Sequence, residues 1–175
     1  MVCFDEFGPV EVRPQDGSAW ARRGRPWRRR ADYTRVHGVR YYFSAYDVHG
    51  DRLWMQEKRR KRWQDVLAFV RSVRRRYAAH LRIYLVLDNL SSHKRKEVIE
   101  WCASHNIKLV FTATYASWMN RIECHFAPVK RFVIHNSDYP DHPALARAMQ
   151  KYLRWRNRDA HNERIVKAQN TIRVL

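Results

Sequence analysis

An α/β fold with a mixed sheet is predicted by three features of the sequence. Short runs rich in β-branched and aromatic residues alternate with longer segments whose apolar residues recur at helical spacing. Two of the runs, joined by the turn residues His49-Gly50-Asp51, form a hairpin and make part of the sheet antiparallel. The run Arg82-Ile83-Tyr84-Leu85-Val86-Leu87-Asp88-Asn89 breaks into polar residues at its carboxyl end, as a buried parallel strand does at the mouth of an α/β sheet. At 175 residues the chain is expected to form one domain over 1–175.

The first strand covers residues 2–7 and carries Asp5. From Gly8 to His37 the chain is rich in Gly, Pro and Arg, which predicts a basic loop over 8–37 rather than a core element. Arg22, Arg23, Arg25 and Arg28 would lie along a phosphate backbone there, with Trp20 and Trp27 free to stack on bases. A solvated insertion is the alternative. Val39–Val48 and Leu53–Gln56 form the hairpin, and Lys58-Arg59-Arg60-Lys61-Arg62 closes it with a second basic cluster.

Trp63, Val66, Leu67, Val70, Val73 and Tyr77 mark the buried stripe of a helix whose end carries Arg74, Arg75 and Arg76, where the helix dipole favours cations. After Asp88, Ser91 or Ser92 is expected to cap a helix to about His105, with Val98, Ile99 and Cys102 inward. Lys108–Thr112 reads as a further parallel strand. The next helix has the stripe Trp118, Ile122, Phe126, Val129 and Val133, bears Glu123, and should kink at Pro128. A last helix runs from about 143 to 158, with Leu145, Met149, Tyr152 and Leu153 inward and Asp138 or Asp141 as its cap.

The net charge of +18 calls for a polyanionic partner, with nucleic acid the leading class. The 27 arginines against eight lysines also fit biased codon usage without a dedicated partner. Cys3, Cys102 and Cys124 lie far apart and are expected as reduced core residues, and with His105 and His125 they make no zinc pattern. No signal peptide or membrane-length apolar run is present, so a cytoplasmic, nucleoid-associated protein is expected.

Two acids, Asp5 and Asp88, lie on or end two different apolar strands, and Glu123 follows Asp88 after 34 intervening residues. Each has a local alternative as a turn former, a strand-end acceptor or a solvated helix carboxylate. Brought together, three carboxylates supply the oxygen donors that two magnesium or manganese ions need around a phosphodiester. Asn89 and His93, just after the second acid, and Asn120, just before the third, are candidate supporting residues.

Phe4-Asp5-Glu6-Phe7-Gly8-Pro9, Leu85-Val86-Leu87-Asp88-Asn89-Leu90-Ser91-Ser92-His93 and Ser117-Trp118-Met119-Asn120-Arg121-Ile122-Glu123 resemble the catalytic motifs of DDE transposases. The resemblance is to the bacterial insertion-sequence branch related to mariner elements and reaches from Val2 to about Val166, and the gap of 34 looks like that branch's hallmark. It implies a ribonuclease-H-like fold with a five-stranded mixed sheet, the first acid on the central first strand, the second at the end of the fourth and the third on a helix after the fifth. By motif position these are Asp5, Asp88 and Glu123, as catalytic residues and as ligands of two Mg2+ or Mn2+ ions. The implied activity is cleavage at terminal inverted repeats followed by strand transfer to target DNA, typically at a TA dinucleotide, by a homodimer on DNA. Lys58, Arg59, Arg60 and Lys61 join the loop arginines as implied DNA contacts. That branch carries helix-turn-helix modules before its catalytic domain, whereas here the first strand begins at Val2, so a catalytic domain without them is expected. A truncated or catalytically silent nucleic-acid-binding remnant, or a ribonuclease H acting on RNA–DNA hybrids, is the alternative.

Overall fold

Strands β1 (Val2–Glu11), β2 (Val39–Asp47), β3 (Arg52–Lys58), β4 (Ile83–Leu87) and β5 (Ile107–Phe111) form one sheet in the order β3-β2-β1-β4-β5. The β1–β2 and β2–β3 pairs are antiparallel, and the β1–β4 and β4–β5 pairs are parallel. This computed structural model describes residues 1–18, 20–26, 28, 37–114 and 116–159. Trp27 and the positions 29–36 of the basic loop, and everything beyond 159, lie outside the described residues.

Alternation along β1 divides the protein into three layers. Val2 and Phe4 face a core built with Phe69, Val70 and Val73 of helix α1 (Trp63–Arg74) and with Val98 and Cys102 of helix α2 (Lys96–Ser104). Cys3 faces the opposite core, with Ile122, with Val129 of helix α3 (Glu123–Val129), and with Leu145, Met149 and Leu153 of helix α4 (His142–Asp159). Asp5 and Glu6, next along the strand, inherit these opposite faces.

Asn157 of α4 both accepts from the Leu53 N–H (2.9 Å) and donates to the Leu53 carbonyl (2.8 Å), and Gln150 donates to the Met55 carbonyl (3.1 Å), so side-chain amides take up the outer hydrogen-bonding groups of β3. Arg156 of the same helix points inward, where its guanidinium meets both the carboxylate and the carbonyl of buried Asp51. The Tyr46 hydroxyl donates to the same carboxylate at 2.9 Å.

Several sequence expectations are corrected. β1 runs on to Glu11 because a bulge between Phe7 and Val10 removes Gly8 and Pro9 from the ladder and lets the strand rejoin β2 at Arg40 and Val39. The helix after Asp88 starts at Lys96 instead of at the serines, since residues 91–94 are spent on a turn. That rotation leaves Ile99 exposed. Arg74 is buried and donates to the Ala78 and Leu81 carbonyls, so it staples the connection to β4 rather than only facing the helix dipole. Trp118 is 78% exposed, because Ser117–Met119 is a separate 3-10 turn and the helical period begins only at Glu123. After Pro128 the chain widens into a π-helical segment, Lys130–Ile134, with the His135 N–H reaching back to the Lys130 carbonyl. Cys124 is exposed while Cys3 and Cys102 are buried free thiols. Asp141, not Asp138, caps α4, accepting the Ala144 N–H at 2.7 Å. Among the described residues no helix is long and apolar enough to cross a membrane.

Candidate functional site

The parallel pairing of β1 with β4 sets the site. It consists of Val2 with Leu85 and Cys3 with Val86, and then the strands part. Two residues further along each strand stand Asp5 and Asp88, level with one another in register. A crevice at the carboxyl ends of two diverging parallel strands is where α/β sheets bind ligands. Ile122, fully buried, anchors the start of α3 in the core and so delivers Glu123, the first residue of that helix, to the same crevice.

Asp5 is held by two donors. The Glu6 backbone N–H donates to Asp5 Oδ1 (2.7 Å), and buried Asn120 donates to Asp5 Oδ2 (3.2 Å) and to the Phe4 carbonyl (2.8 Å), with the Glu123 carboxyl close enough for the two acids to shift one another. Burial, together with the nearby charges of Glu123, Glu6 and Asp88, pushes the Asp5 carboxyl up to about 7. Burial raises Glu123 as well, with Asp88 adding to the effect. Asp88 is shifted the other way, lowered chiefly by its hydrogen bond to His93.

His93 and Glu6 form a buried brace that sequence reasoning identified only in part. His93 Nδ1 lies 2.7 Å from Asp88 Oδ1, and Nε2 lies 2.9 Å from Glu6 Oε1. Burial disfavours the imidazolium, but the hydrogen bonds to Asp88 and Glu6 outweigh it and hold the ring protonated up to about 9. Both ring nitrogens then donate. The edge of the ring packs against Phe4. Glu6 was missed; the available signal was alternation, which turns it to the face of the sheet opposite Asp5, where the loop after Asp88 must cross. Asn89 sits apart from the acids, its amide donating to the Thr112 carbonyl (2.6 Å) and tying the ends of β4 and β5 together.

The basic residues fall into two groups. Lys61 Nζ reaches to 3.7 Å from Glu6 Oε2, and Arg59 and Arg60 beside it are exposed, so the loop after β3 brings positive charge to the rim of the crevice. Arg22, Arg23, Arg25 and Arg28 are exposed, with Arg22 and Arg25 bridged across the tight turn at Arg23-Gly24. The stem of this loop is fastened to the end of the π-helical segment by Gln15 N–H to Ser137 O and Asn136 N–H to Asp16 O, each 2.9 Å. Gly17 permits that approach, since a Cβ there would lie 2.6 Å from Asn136.

The donor chemistry suits a hard divalent cation: three carboxylates surround one crevice, and Asp5 is raised first by burial and then by the charges of Glu123, Glu6 and Asp88. As the side chains stand, no three His, Cys, Asp or Glu groups among the described residues converge on one metal position.

The proton inventory gives a pH prediction for the metal-free protein. The folded state keeps a proton on Asp5 up to about 7 and on His93 up to about 9, against ordinary values of 3.8 and 6.5. Stability from His93 is therefore complete below its unfolded value and is lost as pH rises through the folded one, and the Asp5 shift acts in the same direction at lower pH. In EDTA, urea unfolding should show roughly 4 kcal/mol less stability at pH 9 than at pH 6. His93→Gln should flatten that slope.

A family model described as DDE superfamily endonuclease matches residues 1–146. No curated protein matches the chain. Among solved structures, the mariner Mos1 paired end complex with Mg is similar at a TM-score of 0.68 and 15% identity, covering 96% of this chain and 51% of that one. The catalytic domain of Mos1 mariner transposase is similar at 0.62 and 12% identity, with 96% and 74% covered. The catalytic core domain of BIV integrase is similar at 0.56 and 12%, with 77% and 90% covered. The chain spans about half the length of the Mos1 chains it matches in paired-end complexes, 55% in the complex with the left transposon end. The fold is thus ribonuclease-H-like, as the motifs imply.

Proposed function

Because this chain belongs to the DDE superfamily of endonucleases, we propose that it is the catalytic part of a DNA transposase of the insertion-sequence branch related to mariner elements. It cleaves at terminal inverted repeats and joins the freed end to target DNA. The observation that carries this reading is the crevice itself, with Asp5 and Asp88 level on two diverging strands and Glu123 delivered beside them at the start of α3.

In this reading Asp5, Asp88 and Glu123 are the ligands of two Mg2+ or Mn2+ ions, and similar Mos1 complexes are described with each of those metals. When bound, such ions polarise the scissile phosphate and lower the pKa of an attacking water or hydroxyl. The protein's own groups do the positioning. Asn120 and the Glu6 amide fix the orientation of Asp5, and His93, braced by Glu6, fixes that of Asp88. Ligation requires Asp5 and Glu123 to give up any proton they share, so metal binding weakens as pH falls. Lys58, Arg59, Arg60 and Lys61 at the rim, with Arg22, Arg23, Arg25 and Arg28 on the loop, neutralise the phosphates of an approaching duplex. A homodimer on DNA is the assembly this reading implies, and similar Mos1 structures are described as paired-end complexes.

Supercoiled plasmid carrying candidate inverted repeats tests the reading. Nicking is expected with Mg2+ or Mn2+ and none in EDTA. An RNA–DNA hybrid cut in preference to duplex would replace the transposase reading with a ribonuclease H.

A further inference from the structure

Helix α4 carries a surface that the catalytic crevice does not use. Its inward face is Leu145, Met149, Leu153 and Arg156, the last neutralised by Asp51. Outward, Arg147, Lys151, Arg154 and Arg158 recur at steps of four, three and four, and all are exposed. At 100° per residue they fall on one narrow stripe about 16 Å long. The only acid on the helix is Asp159, paired with Arg158 at 2.8 Å.

Beside this stripe lies an aromatic cluster. Phe132, 61% exposed, stacks on Tyr152 with ring centroids 5.8 Å apart and lies 5.7 Å from Trp155, itself 42% exposed. Trp155 follows Lys151 by four residues, on the flank of the stripe. Large aromatic faces left in solvent next to a row of cations are a recognition surface rather than a solvated helix face. The cations require regularly spaced anions, and the rings require planar apolar groups beside them. A duplex offers only the first, because its bases are stacked inside. A single strand of nucleic acid offers both.

We propose that the outer face of α4 binds single-stranded DNA, with phosphates along Arg147, Lys151, Arg154 and Arg158 and an unstacked base against Phe132 and Trp155. The proposal rests on the reading of the chain as a DNA-acting enzyme, and it assigns a second contact for a strand held outside the crevice.

Fluorescence anisotropy of the full chain with labelled polythymidylate and with duplex, each over a salt series, tests it. Phe132→Ala/Trp155→Ala should weaken single-strand binding about tenfold and leave duplex binding within about twofold. Lys151→Gln/Arg154→Gln, at exposed positions, should lower the single-strand salt slope by about 1.4. Thermal melting establishes that each variant is folded, and the glutamine pair decides the question alone if the alanine pair is not. Wild-type levels of single-strand binding in the folded variants, equal losses on both substrates in the aromatic variant, or no single-strand binding by the parent protein would overturn the proposal. Metal-dependent plasmid nicking by the same preparations separates the two readings: parent protein that nicks plasmid while these variants bind normally sinks only the α4 surface.

Discussion

Asp88→Ala is expected to reduce plasmid nicking by about a thousandfold or more, equivalent to roughly 4 kcal/mol of barrier, while duplex affinity changes by less than about threefold. Half of the Asp88 side chain is in solvent and its partners are His93 and the Leu90 N–H, so the loss falls on the site and leaves both cores intact. Asp88→Asn keeps the shape and the acceptor for His93 but removes the charge, and should be nearly as inactive. A gel assay of nicked against supercoiled plasmid, paired with anisotropy on the same duplex, reads both numbers. Nicking by Asp88→Ala at the parent rate would remove Asp88 from the chemistry.

The largest stability effect is expected far from that crevice. Arg156→Ala leaves the Asp51 carboxylate buried without its guanidinium partner, and removing one partner of a buried ion pair costs about 3–5 kcal/mol. Asp51 also sits at a positive φ of 46°, held there by the contacts of its carbonyl and carboxylate with Arg156, so the hairpin end of β2 and β3 should loosen with it. Replacing both residues, Arg156→Met with Asp51→Asn, should recover part of the loss because no uncompensated charge stays buried. Urea denaturation of the single and double variants measures the difference. Equal stability of Arg156→Ala and the parent protein would show the network to be energetically idle.

The parts of the fold that were legible in the sequence are those set by period alone. Alternation in Val39–Asp47 and the apolar run of Ile83–Leu87 identify strands whatever surrounds them, and the turn at His49-Gly50-Asp51 fixes the hairpin. What could not be read depends on where a period starts. Trp118 lies at the right spacing for the α3 stripe, but the 3-10 turn before Asn120 shifts its direction and leaves it in solvent. The same holds for Ile99, displaced when the turn at 91–94 delays α2. At the site, the three acids were legible because each lies on or next to a regular element. Glu6 was not, because its role depends on His93 crossing the sheet from a position 87 residues later, a contact that no local pattern encodes.

The central claim is that Asp5, Asp88 and Glu123 make one divalent-metal site. Electron paramagnetic resonance titration of Mn2+ into the DNA-bound protein tests it without relying on turnover. Two bound ions are expected in the parent protein, with the higher-affinity ion lost in Asp88→Asn and both lost in Asp5→Asn/Asp88→Asn/Glu123→Gln. Undiminished Mn2+ binding by that folded triple variant would contradict the account.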